Sequence, residues 1–133
     1  MDIRLAQNTD DPALLGLIID FRAALSALRG SDKRMSLEQA KSELDEYHQK
    51  DFPVFLAEQD GDLAGYLVCR GEDEVVWAES LYVQPQFRRR GVAGLLYAKV
   101  EKLAQERSGD DPYIWVDPNN TAIIEFLRKR GYE

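Results

Sequence analysis

Cysteine is almost missing from this chain of 133 residues: Cys69 stands alone, so no internal disulfide can form and burial must hold the fold. Its place after the apolar run Tyr66-Leu67-Val68 marks a small core residue, not a nucleophile. Histidine is equally scarce. His48 is the only one, and one imidazole with one thiol does not make a metal site of the usual spacings. No metal is expected, and only a carboxylate-only site stays open. Because His48 follows Glu43, Asp45 and Glu46 near a helix end, it reads as a solvated or dipole-paired side chain. No apolar run approaches the ~18 residues a membrane span requires. The first residues also lack the basic segment and apolar core of a leader, so a cytoplasmic protein without membrane contact is expected. Positive charge is in deficit as well, with 17 Lys and Arg against 24 Asp and Glu, net −7. That balance disfavours nucleic acid, which needs a broad basic face.

What is present is an ordinary globular balance, 44% hydrophobic and 31% charged, in a length that suits one domain spanning residues 1–133. The charge is unevenly placed. Residues 1–87 carry 8 basic and 17 acidic side chains, whereas residues 88–133 carry 9 basic and 7 acidic. A basic C-terminal third suits an anionic ligand, and the acidic remainder would attract a cationic one.

Hydrophobic periodicity and turn chemistry give the elements in order. Residues 3–6 form a short strand. Asp11 and Pro12 read as a cap and first position of a helix whose apolar stripe (Leu14, Leu17, Ile18, Phe21, Leu25, Leu28) ends at Gly30. Ser36 with Gln39 is a capping box opening a second, surface helix with Leu37, Ala40, Leu44 and Tyr47 on one stripe. Strands follow over 54–58, 63–70 and 75–83, joined by turns at Asp60-Gly61-Asp62 and Gly71-Glu72-Asp73-Glu74. A helix with Val92, Leu96, Val100 and Leu103 on one face precedes a strand over 113–116, and a last helix starts at Asn120 or Thr121. The order β-α-α-β-β-β-α-β-α predicts an α/β (α+β) fold: a mixed, mostly antiparallel sheet flanked by helices, with one central parallel pair joined through a right-handed crossover. The carboxyl edge of such a pair is where these sheets bind ligands.

At that edge lies Glu79-Ser-Leu-Tyr-Val-Gln-Pro-Gln-Phe-Arg-Arg-Arg-Gly-Val-Ala-Gly94. A strand runs into a proline turn, three arginines and a glycine-rich helix start, which puts free backbone N–H groups beside fixed positive charge. Neither a Gly-x-x-x-x-Gly-Lys-Ser/Thr loop nor a Gly-x-Gly-x-x-Gly turn is present, so nucleoside triphosphates and dinucleotides fit less well. The segment Arg88-Arg89-Arg90-Gly91-Val92-Ala93, set between a Leu-Tyr-Val strand and a long helix, resembles the pyrophosphate loop of the GCN5-related N-acetyltransferase (GNAT) superfamily. Some 30 residues later, Asn120 to Tyr132 resembles that superfamily's second motif, so the likeness covers nearly the whole chain.

The resemblance implies an acyl-coenzyme-A-dependent N-acetyltransferase acting by direct attack in a ternary complex. It implies that backbone amides from Arg89, Arg90, Gly91, Val92, Ala93 and Gly94 hold the pyrophosphate of acetyl-coenzyme A, with Arg88 at the motif's Gln/Arg position. Leu81, Tyr82 and Val83 would carry the pantetheine arm, one of their amides polarising the thioester carbonyl, and Asn120 would contact the coenzyme. Glu79, placed by period-two alternation on the face of Leu81 and Val83, would take the proton of the acceptor amine. The acceptor would be a small cationic molecule or a peptide or protein amine. Two departures stand out. Leu127 occupies the position of the usual tyrosine acid, and Tyr132 sits where a structural aromatic is normal. The chain also stops at Glu133, short of the strands that normally follow. An open edge strand would then need a cover, for which a homodimer is one solution. These departures keep a second reading in view, a non-catalytic coenzyme-A-binding or regulatory domain.

Overall fold

The computed structural model describes residues 1–132. The chain forms β1 (Asp2–Leu5), α1 (Asp11–Leu28), α2 (Leu37–Gln49), β2 (Val54–Gln59), β3 (Asp62–Glu72), β4 (Val75–Val83), α3 (Val92–Arg107), β5 (Tyr113–Ile114) and α4 (Thr121–Lys129). This is the element order expected from the periodicity. The capping box opens α2 as anticipated, with Ser36 Oγ accepting from the Gln39 N–H at 3.1 Å and Gln39 Oε1 from the Ser36 N–H at 2.8 Å. At α1 the cap falls one residue early, on Asp10. The Asp10 carboxylate does not cap the helix; it accepts from Arg4 at 2.8 Å and from the Gln7 N–H at 2.7 Å.

The strands lie in the order β1-β2-β3-β4-β5. All neighbours are antiparallel except β4 and β5, which run parallel through Trp77↔Tyr113 and Ala78↔Ile114. The parallel pair therefore sits at one side of the described sheet instead of at its centre. β5 is also shorter than the four residues expected, pairing with β4 only at Trp77 and Ala78.

Each face of the sheet buries its own core. On one face Ala57, Leu67, Cys69, Val76 and Ala78 pack against Val92, Leu96, Tyr97 and Val100 of α3 and Leu127 of α4. On the other, Val54, Leu56, Tyr66, Val68 and Tyr82 pack against Leu14, Leu17 and Ile18 of α1 and Ala40, Leu44 and Tyr47 of α2. Fully burying one such leucine is worth about 2 kcal/mol. Cys69 belongs to the first core, and burial pushes its thiol up to about 12, out of the reactive range. At the C-terminal end, Glu101 on α3 accepts from Arg130 at 2.6 Å and from the Tyr132 hydroxyl at 2.7 Å, which ties the last turn of the described chain onto α3.

One register change decides how the sheet presents its chemistry. β3 and β4 pair Val68↔Ser80 and then Cys69↔Ala78, so Glu79 is an extra residue with no partner of its own. Such a bulge reverses the parity of the strand. Val76 and Ala78 face the α3 core before it, and Leu81 and Val83 face that same core after it. Glu79 itself turns to the opposite side, where its carboxylate accepts from Arg70 Nε at 2.8 Å. Simple alternation, which put Glu79 on the face of Leu81 and Val83, is therefore corrected by the unpaired residue.

Two tests follow from the packing. A Cβ at Gly65 would lie 2.3 Å from the carbonyl oxygen of Tyr82. Gly65→Ala should therefore destabilise the β3–β4 pair by about 2 kcal/mol or more, measured as a lower urea midpoint. Asp10 is held down at about 2 from an ordinary 3.8, chiefly by its hydrogen bonds from Arg4. A carboxyl lowered in the folded state adds stability above its ordinary value and loses it as pH falls toward the folded value. Unfolding followed from pH 4 down to pH 2 should show a steeper loss for the unaltered chain than for Asp10→Asn.

Candidate active site

Glu79 lines a cleft of about 300 Å³ whose walls come from α1, α2, β3 and β4. α2 contributes Glu43, Glu46 and Tyr47, α1 contributes Arg22, and β3 contributes Arg70. The charges are paired within and across elements. Arg22 Nε donates to Glu43 at 2.9 Å, and Lys50 Nζ to Glu46 at 2.6 Å. Arg70 bridges Glu72 and Glu79, its guanidinium lying 5.0 Å from the Trp77 ring centroid. Tyr47 donates its hydroxyl to Glu43. Burial, followed by that bond to Glu43, pushes the Tyr47 phenol well above its ordinary value, so it stays protonated as a donor. Beside Glu79, Ser80 is 2% exposed and turns toward the same helices as Tyr82.

Among the described residues the edge of β4 beyond Ala78 has no strand partner, because β5 pairs no further. The Gln84 N–H donates to the Ala64 carbonyl at 2.8 Å, continuing the register Gly65↔Val83, Tyr66↔Tyr82, Leu67↔Leu81. Hydrogen bonding alternates along an antiparallel pair, so Tyr82 directs its backbone groups to β3 while Leu81 and Val83 direct theirs outward. A ligand with amides of its own could pair along that edge. The Val83 carbonyl already accepts from Arg88 Nε at 3.0 Å. Tyr82 offers the edge no backbone group, and its ring is buried in the second core.

From Val83 the chain passes through a 3-10 turn (Pro85–Phe87) to the arginines and the start of α3. Arg89 and Gly91 both take positive φ, 64° and 77°, a conformation that glycine adopts freely and arginine does not. No side chain caps α3 at Gly91. The first helical N–H groups, those of Val92, Ala93 and Gly94, thus sit at the positive end of a 16-residue helix. Arg88, Arg89 and Arg90 are exposed around them. Arg88 lies over the Tyr82 ring and Arg90 over Phe87, at 5.9 and 5.8 Å from the centroids. Arg130 stands against Gly94, whose missing Cβ would come within 3.2 Å of its Nη1. Backbone donors, an open helix end and guanidinium groups together suit a pyrophosphate.

The second motif is differently employed. The Asn120 side-chain oxygen accepts from the Ile123 N–H at 3.2 Å and caps α4, so one of its lone pairs serves the helix while the amide NH₂ stays available to a ligand. Asn119 donates to the Leu28 carbonyl at 3.3 Å and orders the end of α1. Leu127 is 8% exposed and packs in the α3 core. Tyr132 is bonded to Glu101, and burial with that bond raises its phenol above the ordinary value. It is a structural aromatic, stacked edge-on against Tyr97 at 5.6 Å. Among the described residues no three His, Cys, Asp or Glu side chains converge as a metal site, and no helix is long and apolar enough to cross a membrane.

Sequence reasoning missed Arg22, Glu43 and Arg70. Arg70 was within reach, since counting back from the Asp73-Glu74 turn sets it opposite Trp77. Arg22 and Glu43 meet only because α1 packs on α2, and no local pattern announces that contact.

Residues 22–132 match the sequence model of the acetyltransferase (GNAT) family. An uncharacterised N-acetyltransferase of Methanocaldococcus jannaschii is 29% identical over 86 residues, 59% of this chain and 38% of that protein. The chain thus spans well under half the length of that relative. An acetyltransferase of Pectobacterium atrosepticum is 27% identical over 115 residues, 86% of this chain and 82% of that one. Among solved structures, an aminoglycoside N-acetyltransferase in complex with CoA superposes with a TM-score of 0.74 at 25% identity, covering 99% of this chain and 91% of that chain.

The left-handed turn at Gly91 supplies a test of the loop. Space around its Cβ position is open, with nothing within 4 Å, so any penalty for Gly91→Ala comes from φ alone. Thermal unfolding should report a loss of about 1 kcal/mol for alanine. Asparagine, which tolerates this region, should recover part of it.

Proposed function

This chain belongs to the GNAT family of acyl-coenzyme-A-dependent N-acetyltransferases, and from that premise we propose that it transfers acetyl from acetyl-coenzyme A to a primary amine by direct attack in a ternary complex. The observation that carries this reading is the continuity of β4: an unpaired strand edge at Leu81 and Val83 leads directly to the uncapped N-terminus of α3. The Val92, Ala93 and Gly94 amides and Arg88 to Arg90 would hold the pyrophosphate. The strand edge would pair with the pantetheine amides, and its outward N–H groups are the donors able to polarise the thioester carbonyl. The CoA-bound relative of the same fold supports the choice of coenzyme.

Glu79 is the candidate base. The bulge turns it out of the sheet into the α1–α2 cleft, so an acceptor there meets a carboxylate next to the end of the strand track. An ammonium must first lose a proton, to Glu79 directly or through water. The free amine then bonds to the acetyl carbon, the carbon–sulfur bond breaks, the thiolate leaves with the electron pair, and the acylated nitrogen gives up its second proton to water. Leu127 and Tyr132 supply no acid for that sulfur, which therefore takes its proton from water. The acceptor class is a small-molecule or peptide amine, presented to the cleft as its cation.

The test is thiol release from acetyl-coenzyme A across a panel of primary amines. Amine-dependent turnover is expected, and Glu79→Gln should lower kcat about 100-fold with little change in coenzyme affinity. Tight coenzyme binding without turnover on any amine would instead favour a non-catalytic binding domain, the reading that the buried Leu127 supports.

A further inference from the structure

A second cleft, of about 470 Å³, adjoins the one that holds Glu79 and shares Arg22, Met35 and Gln39 with it. Its character is different. The first cleft balances three acids against three bases, whereas the second is lined by Arg22, Arg29, Lys33 and Arg34 and by no carboxylate. Three of these cations have counter-ions outside the lining. Arg22 meets Glu43 at 2.9 Å, Arg29 meets Asp117 at 3.1 Å, and Arg34 meets Asp20 at 3.4 Å with both side chains exposed. Among the described residues the Lys33 ammonium has no side-chain partner. Counting those three carboxylates leaves one unit of positive charge, and the guanidinium groups keep donors free beyond their single contacts. Gln39, in the first turn of α2, stands on the wall of both clefts. The positive end of that helix therefore lies at their junction.

Building on the transferase reading, we infer that the acceptor is an amine that also carries an anionic group, a carboxylate or phosphate. The amine lies beside Glu79 and the anion is held by Arg29, Lys33 and Arg34. This refines the cationic acceptor expected from the acidic N-terminal two thirds. Net charge sums faces that never meet the ligand, while the two joined clefts offer a carboxylate at one end and one unit of uncompensated positive charge at the other. The coenzyme phosphates are a poor alternative occupant. The basic cleft is built from α1, α2 and the turn between them, on the sheet face opposite α3.

The experiment compares 5-aminopentanoate, 3-aminopropyl phosphate and pentylamine on the full chain. Calorimetric binding is measured with CoA present, and thiol release is measured from acetyl-coenzyme A. At least one of the two anion-bearing amines should bind about tenfold tighter than pentylamine, a difference of about 1.4 kcal/mol, and should show a similar advantage in kcat/KM. Whether the carboxylate or the phosphate is preferred identifies the anion. In Lys33→Gln combined with Arg29→Gln, both exposed positions, that ratio should fall toward one through KM while the affinity for acetyl-coenzyme A holds. Equal binding of all three amines, or a ratio unchanged in the double variant, overturns the inference, as does a double variant that loses coenzyme affinity instead. If the binding difference appears but no amine is acetylated, the transferase reading fails and the anion site stands. If pentylamine is acetylated as well as the others, the transferase reading stands and the anion site fails.

Discussion

The structure turns on one unpaired residue in β4. A strand of nine residues that alternated without interruption could not bury Ala78 and Leu81 on the same face, because they are three positions apart. The extra residue at Glu79 permits it: the strand keeps two faces buried, one against α3 and one against α1 and α2. Pairing with β5 ends at the residue before Glu79, and among the described residues the Leu81–Val83 edge has no strand partner. The extra residue also puts a carboxylate on the open side. A bulge re-aims side chains at the expense of local ladder bonds, and here that local loss coincides with the point where the coenzyme track and the acceptor cleft would meet.

The rest of the architecture keeps that bulge in place. Gly65 allows the β3 backbone to approach the Tyr82 carbonyl closely, which holds β3 and β4 in register through the stretch just past Glu79. Arg70 clamps Glu79 from the neighbouring strand while lying over Trp77. A cation held between a carboxylate and an aromatic face loses much of its freedom. The Arg22–Glu43–Tyr47 group does the same for α1 and α2. Arg22 stays charged because the Glu43 bond and charge outweigh the burial that alone would lower its pKa. The cleft is thus lined by groups that are already ordered before a ligand arrives.

Much of this was legible in the chain itself. The helices announced themselves by stripes such as Leu14, Leu17, Ile18 and Phe21 and by the Ser36–Gln39 box. The turn into α3 announced itself by arginines followed by Gly91-Val92-Ala93-Gly94. These signals are local: caps, turns and apolar periods act over a few residues and leave short-range traces. The less legible part lay where two segments compete for one group. Asn120 matched a ligand-binding motif, yet its oxygen is taken by the first turn of α4. Glu79 matched an alternating strand, yet its direction depended on how β3 paired across from it.

The sequence by itself therefore determined the element order, the family and the arginine-rich turn that opens α3, since each rests on residues adjacent in the chain. Only the tertiary structure decided which way Glu79 faces, that Leu127 is core and Tyr132 is bound to Glu101, and that Arg22, Glu43 and Arg70 border one cleft while Arg22 and Lys33 border the adjoining one. Those facts rest on strand register and helix packing between residues far apart in the chain. The contact energies that select them exist only once both partners are in place.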